Sequence, residues 1–302
     1  MSARAAELAL PANASPVSLH RPPPFGRRVE LGSRGTTFYR EVSGPEGAPT
    51  LLLLHGWVAS GGMNWAQAFE PLGRHFRVIA PDLRGHGRGI RSPRRFRLRD
   101  CADDMAALLE QLDTGPVIVV GYSMGGLVAQ LLWRRHRERV VGLVLCATSA
   151  APVARTLDRL VFGSAMVAAS EAARAVDRSV QPPLAWLRQV LPRPSTEVRR
   201  PRSLRTWLAA EMGRHDWRML LEAGAEVARH DARPWLREID VPTAVLVTTE
   251  DAALGAETQY WMAHQIPGAT IHCHEDGHTA CAWPAFGQSL LGACQDVAER
   301  IA

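Results

Sequence analysis

Five runs along this 302-residue chain carry no polar side chain at all, and they leave few ways to fold it. They are Leu51-Leu52-Leu53-Leu54, Val78-Ile79-Ala80, Val117-Ile118-Val119-Val120, Gly142-Leu143-Val144-Leu145 and Ala244-Val245-Leu246-Val247. A strand turns successive side chains to opposite faces, so a strand with no polar side is covered on both. Parallel sheets, whose crossover connections lay helices over each face, produce such strands. The intervening stretches look helical. Asp100 to Leu112 carries Met105, Leu108, Leu109 and Leu112 at the spacing of one helical face, and Leu127 to Arg137 follows Gly125-Gly126 in the same way. The alternation predicts an α/β fold, a mostly parallel sheet flanked by helices. Val29-Leu31 and Thr36-Val42, parted by Gly32 to Gly35, predict a hairpin at a sheet edge.

The alternation lapses between about 150 and 235. There the chain is helix-like, broken by Pro182-Pro183, Pro192, Pro194 and Pro201, and it holds Trp186, Trp207, Trp217 and Trp235. We read residues 150–235 as a helical cap on a core formed by 28–149 and 236–302. Residues 1–27, rich in Ala and Pro and ending near Pro22-Pro23-Pro24, read as a poorly ordered arm.

With 46% hydrophobic and 22% charged residues, the composition is that of an ordinary globular protein, long enough to bury a core without disulfides or a structural metal. The five cysteines are odd in number and lack C-x-x-C spacing, which argues for reduced thiols packed as small core residues and against zinc or a redox pair. The first ten residues lack a secretory apolar region, and no apolar run approaches membrane-spanning length, so the expectation is a soluble, cytoplasmic protein without membrane insertion. All 35 basic residues are arginine and the net charge is +5. Seven arginines lie between Arg84 and Arg99 with no helical or strand period, which predicts a solvated connecting loop rather than a nucleic-acid or membrane surface.

Chemistry enters at Gly121-Tyr122-Ser123-Met124-Gly125-Gly126, the pattern G-x-S-x-G placed between the apolar run 117–120 and a helix-like stretch. A serine at such a turn exposes its hydroxyl on a strained backbone, and Gly121 and Gly125 remove side chains that would collide there. The following helix points its N-terminal amides toward a developing oxyanion.

With this elbow the chain resembles the α/β-hydrolase superfamily, in particular its cap-bearing esterase, C–C hydrolase and haloperoxidase-like members. The resemblance runs from about Val29 to the C-terminus. It rests on His55-Gly56-Trp57, Pro81-Asp82-Leu83-Arg84-Gly85-His86-Gly87, the elbow, Val241-Pro242-Thr243 leading into an apolar run, and Gly277-His278. It implies Ser123 as nucleophile, His278 as its base and, in the chain order serine, acid, histidine, Asp251 as the acid. Glu250 and Asp276 are the rival acids, and a threonine, Thr248 or Thr249, stands where the family usually has glycine. The backbone amides of Trp57 and Met124 are implied as the oxyanion hole. His55, Gly56, Asp82, Arg84 and His86 are implied as structural support. His272 and His274 are expected on a strand as packed or surface histidines.

The implied reaction is acyl transfer from a carboxylic ester of a small, apolar substrate to water, through an acyl-enzyme on Ser123. No cofactor and no metal is implied, and the expected partner is a small molecule, not a nucleic acid. C–C hydrolysis, thioester or lactone hydrolysis and perhydrolysis use the same residues and stay open, as does a ligand receptor that retains a hydrolase fold.

Overall fold

The computed structural model describes residues 23–153, 156–184 and 204–301, so the arm up to residue 22 and the prolines at 192, 194 and 201 lie outside the described residues. The strands are β1 (Gly26–Glu30), β2 (Thr36–Val42), β3 (Thr50–Leu54), β4 (Arg77–Asp82), β5 (Val117–Tyr122), β6 (Val140–Cys146), β7 (Thr243–Thr248) and β8 (Thr270–His274). They form one sheet in the order β1-β2-β4-β3-β5-β6-β7-β8. β1 and β2 pair as an antiparallel hairpin, β2 joins β4 antiparallel, and every pairing from β4 to β8 is parallel. The hairpin lies at the edge. It begins at Gly26, inside the stretch read from sequence as arm.

Each of the five apolar runs lies in one of the strands β3 to β7. Their alternating residues feed two cores. Leu52, Leu54, Ile79, Val119, Leu143, Leu145, Val245 and Val247 face one layer, packed by α3 (Leu98–Gln111) and α4 (Met124–Arg135). Leu51, Leu53, Val78, Ile118, Val120, Val144 and Leu246 face the other, packed by α1 (Gly61–Trp65), α2 (Phe69–Gly73) and α9 (Pro284–Glu299). Fully burying each of these side chains contributes about 1.5–3 kcal/mol, which is why the five inner runs carry no polar side chain, while polar residues such as Thr50, Arg77, Asp82, Thr243 and Thr248 stand at the strand ends. α9 opens with proline at its first turn, where the missing N–H is no loss. α8 (Ala256–Gln265) precedes β8.

Between β6 and β7 come α5 (Thr156–Leu184), α6 (Leu204–Met212) and α7 (Trp217–Arg229). Asp216 caps α7, accepting from the Met219 amide at 3.1 Å. α5 packs along α7. The apolar residues of α5 do not all face inward, because Leu157, Leu160 and Val161 are exposed. No helix among the described residues is long and apolar enough to cross a membrane.

Candidate active site

The parallel strands β3, β5 and β7 end on one edge, and the loops that follow them carry His55-Gly56-Trp57, Ser123 and Asp251. At Ser123 the chain passes from β5 into α4 with φ 52° and ψ −119°, a conformation that L-residues avoid. The glycines beside it are close-approach positions. A Cβ on Gly125 would lie 2.0 Å from the Leu54 carbonyl oxygen, and one on Gly121 would lie 2.5 Å from the Gly125 carbonyl oxygen. The serine amide donates to Cys146 O at 3.0 Å, and the Thr148 hydroxyl donates to Ser123 O at 2.8 Å. The strained turn is thus tied to the end of β6 and to the loop that follows it.

Ser123 Oγ lies 2.9 Å from His278 Nε2, and His278 Nδ1 lies 2.8 Å from Asp251 Oδ2. The carboxylate side chain is 0% exposed and the imidazole 30%. Burial pushes the Asp251 carboxyl up, but the His278 bond, the Leu254 amide and the Thr248 hydroxyl more than offset this, and its pKa is lowered overall. Oδ1 accepts from the amides of Ala253 and Leu254 at 2.9 and 3.0 Å. The rival acids stand elsewhere. Glu250 is exposed, and Asp276 Oδ1 accepts from the Gly277 amide at 2.7 Å. His272 pairs with Asp296 at 3.2 Å and His274 Nδ1 lies 3.0 Å from Ser289 Oγ, so both strand histidines are occupied.

Two further loops frame the serine. His55 Nδ1 donates to Gly56 O at 2.8 Å, and its Nε2 accepts from the Leu83 amide at 2.9 Å. Acceptance at Nε2 demands the neutral ring, and burial holds its pKa down at about 4. The Gly56 amide donates to Asn64 Oδ1 at 3.0 Å, and Gly56 itself lies beneath the serine, where a Cβ would come 3.4 Å from Ser123 Cβ. Trp57 follows Gly56 in the loop after β3, and Met124 is the first residue of α4, directly after Ser123. Asp82 accepts from the amides of Gly61 (2.9 Å) and Arg88 (2.8 Å), and His86 Nδ1 donates to Arg84 O at 2.9 Å. These residues brace loops and do not touch Ser123.

Sequence reasoning missed four residues here. Asn64 fixes Gly56. Tyr122, the unspecified position of G-x-S-x-G, donates its hydroxyl to His278 O at 2.8 Å and so ties the histidine loop to the elbow strand. Thr248 donates to Asp251 Oδ2 at 2.9 Å, and Gln259 stands behind it. The arginine-rich stretch also differs from expectation. Arg84 pairs with Asp104 through two bonds of 2.7 Å, and Arg88 pairs with Glu211 on α6 at 2.9 and 3.1 Å. Part of this supposedly solvated loop is turned inward because buried carboxylates from α3 and α6 meet it. Of the tryptophans in the inserted stretch, Trp186 lies outside the described residues and Trp207 is buried. Trp217 is exposed, and Trp235 stacks on Trp133 with ring centroids 6.0 Å apart. It is Trp57 that meets the inserted helices. Its Nε1 donates to Leu220 O on α7 at 2.9 Å, and its ring meets Phe162 of α5 edge-on at 6.4 Å.

Comparison with known proteins agrees with this architecture. Residues 49–285 match the model of the alpha/beta hydrolase fold family. The pimeloyl-[acyl-carrier protein] methyl ester esterase of Aromatoleum aromaticum is 32% identical over 234 residues, 76% of this chain and 91% of that protein. A magnesium-chelatase 30 kDa subunit of Rhodobacter capsulatus is 42% identical over 103 residues, but these span only 33% of this chain and 36% of the subunit. Among solved structures, a hydrolase from Pseudomonas aeruginosa superimposes with a TM-score of 0.69 at 26% identity, covering 90% of this chain and 98% of that one. The chain belongs to the α/β-hydrolase fold family and is a hydrolase.

Proposed function

We propose that this hydrolase cleaves carboxylic esters through an acyl-enzyme on Ser123, with His278 as base and Asp251 as the acid that orients it. The observation that carries the reading is the unbroken chain of bonds, 2.9 Å from Ser123 Oγ to His278 Nε2 and 2.8 Å from His278 Nδ1 to Asp251 Oδ2, ending on a serine at positive φ. A free hydroxyl is a weak nucleophile at neutral pH. With Nδ1–H held by the carboxylate, Nε2 has a lone pair facing the hydroxyl and takes its proton as Oγ attacks the ester carbon. The amides of Trp57 and Met124 then receive the oxyanion. The protonated imidazole passes its proton to the leaving alcohol. A water molecule, deprotonated by the same nitrogen, releases the acid.

The relative from Aromatoleum acts on a methyl ester of an acyl chain, which supports an acyl ester as substrate class. The inserted helices point the same way. Phe162 stands edge-on to Trp57, and Met166 lies close to Gly224 beside the indole, forming an apolar wall suited to a hydrocarbon portion. The substrate is a small molecule, and the chemistry needs no cofactor. The free thiols Cys101, Cys146, Cys273, Cys281 and Cys294 suit a reducing compartment, consistent with the cytoplasm. The test is a panel of esters, thioesters, lactones and C–C substrates on wild type and Ser123→Ala. We expect short- to medium-chain esters to be turned over best and the variant to be inactive on all of them. Rapid labelling of Ser123 by a fluorophosphonate without turnover of any panel member would contradict the enzyme and favour a receptor.

A further inference from the structure

Asp251 Oδ2 does more than face the histidine. It accepts from His278 Nδ1 at 2.8 Å, from Thr248 Oγ1 at 2.9 Å and from Gln259 Nε2 at 3.3 Å. Gln259, on α8, is fully buried and uses both ends of its amide. Its Oε1 accepts from the Thr248 backbone amide at 3.1 Å, and because that amide can only donate, the orientation of the side chain is fixed. Its Nε2 donates to Thr248 Oγ1 at 3.0 Å. The hydroxyl, having accepted there, turns its proton to the carboxylate. A directed chain runs from glutamine through threonine to aspartate, and it ends on the same oxygen that holds the imidazole.

We propose that Thr248 and Gln259 are positioning residues for the Ser123–His278–Asp251 reaction, fixing the Asp251 carboxylate against His278 and drawing off part of its negative charge. The inference rests on the serine-hydrolase reading above. Two physical effects follow. Five donors, two of them the amides of Ala253 and Leu254, leave the carboxylate one orientation, so the imidazole inherits one orientation. Donors on Oδ2 also spread its charge, which weakens its hold on a protonated imidazole. Removing the threonine hydroxyl concentrates charge on Oδ2 and favours the protonated ring. The base is then freed only at higher pH, and the acid limb of the rate profile moves up.

The other titratable groups around the pair do not interfere with that readout. Tyr122 reaches the His278 carbonyl, and burial pushes its phenol far up. Burial pushes the neighbouring Cys281 thiol up to about 11. Glu250 faces solvent, and the Asp276 carboxylate is engaged by the Gly277 amide.

The experiment is the pH dependence of kcat/KM for a p-nitrophenyl ester, measured on wild type, Thr248→Val, Thr248→Ser, Gln259→Met and Ser123→Ala. Thr248→Val keeps the shape and removes the donor. We expect it to lose about tenfold in kcat/KM at neutral pH, the order expected when one hydrogen bond to a charged group is lost, and to shift the acid limb up by about half a pH unit. Thr248→Ser should restore both, and Gln259→Met should shift the limb in the same direction by less. A wild-type profile in Thr248→Val, or lost activity with an unmoved limb that Thr248→Ser does not repair, overturns the inference. If Thr248→Val does not fold, Gln259→Met decides by the same limb, and an unmoved limb there overturns it. Ser123→Ala separates the two levels. Persisting turnover in that variant overturns the serine reading and this inference together. An inactive Ser123→Ala beside a wild-type-like Thr248→Val overturns this inference alone.

Discussion

Asn64 shows how much of the site hangs on single buried bonds. Its Oδ1 receives the Gly56 amide at 3.0 Å, and no solvent reaches that point to replace it. Asn64→Ala leaves the amide buried and unpaired, at a cost of about 1–3 kcal/mol. We expect the urea midpoint to fall accordingly. Because the Trp57 amide follows directly in the loop, kcat should drop about tenfold while KM changes little, the signature of a contact made only in the transition state. Ser123, Gly121 and Gly125 were legible in the sequence because their role is local: the turn itself demands a hydroxyl flanked by residues without side chains. Asp251 and His278 were legible only through the family's order of motifs. Asn64, Thr248 and Gln259 were not legible. Each is an ordinary polar residue at an ordinary spacing, and only the folded chain buries it and brings it to its partners: Asn64 to the Gly56 amide, Thr248 and Gln259 to each other and to Asp251.

Among the elements, α7 carries an unusual requirement. Leu220 O accepts the Trp57 indole at 2.9 Å, and one turn later Gly224 leaves room for the ring, since a Cβ there would lie 2.7 Å from Trp57 Cζ2. Helix propensity alone favours Gly224→Ala by about 1 kcal/mol. Contact with the indole reverses the sign, and we expect the variant to melt lower and to lose ester turnover, with Trp57→Phe in the same chain recovering part of both. α6 contributes a buried acid in the same way. Glu211 is 1% exposed, pairs with Arg88 and accepts from Ser60 Oγ at 3.1 Å. Burial pushes its carboxyl up, but the Arg88 bonds outweigh this and its pKa is lowered. Glu211→Ala strands Arg88 in the interior and should cost about 3–5 kcal/mol in chemical denaturation. The elements of the sheet were readable because fully apolar strands have few alternatives. The inward course of the arginine-rich stretch was not, because its acceptors Glu211 and Glu222 come from helices more than a hundred residues further on.

At the scale of the whole molecule, the two core layers enclose several neutral histidines. Burial holds His55, His215 and His230 at about 4, and His86 well below its ordinary value. In the unfolded chain each titrates near 6.5. Between those values the unfolded state binds protons that the folded state refuses, so stability is full above about pH 6.5 and is lost as pH falls toward 4. The raised carboxyls of Asp82, Asp104 and Glu226, which burial pushes up, act in the opposite direction but cannot cancel several histidines while they remain ionised. We expect the melting temperature to fall from pH 7 to pH 5, with net uptake of protons on unfolding. A melting temperature flat across that range would contradict the burial of these rings.

The central claim is that Ser123 forms the covalent intermediate. Rapid mixing with a p-nitrophenyl ester, followed by acid quench and mapping of the acylated peptide, tests it most directly. The account predicts one acyl group per chain on Ser123, released by water in wild type and absent from Ser123→Ala. Continued ester hydrolysis by Ser123→Ala, or an acyl group mapped to another residue, would contradict it.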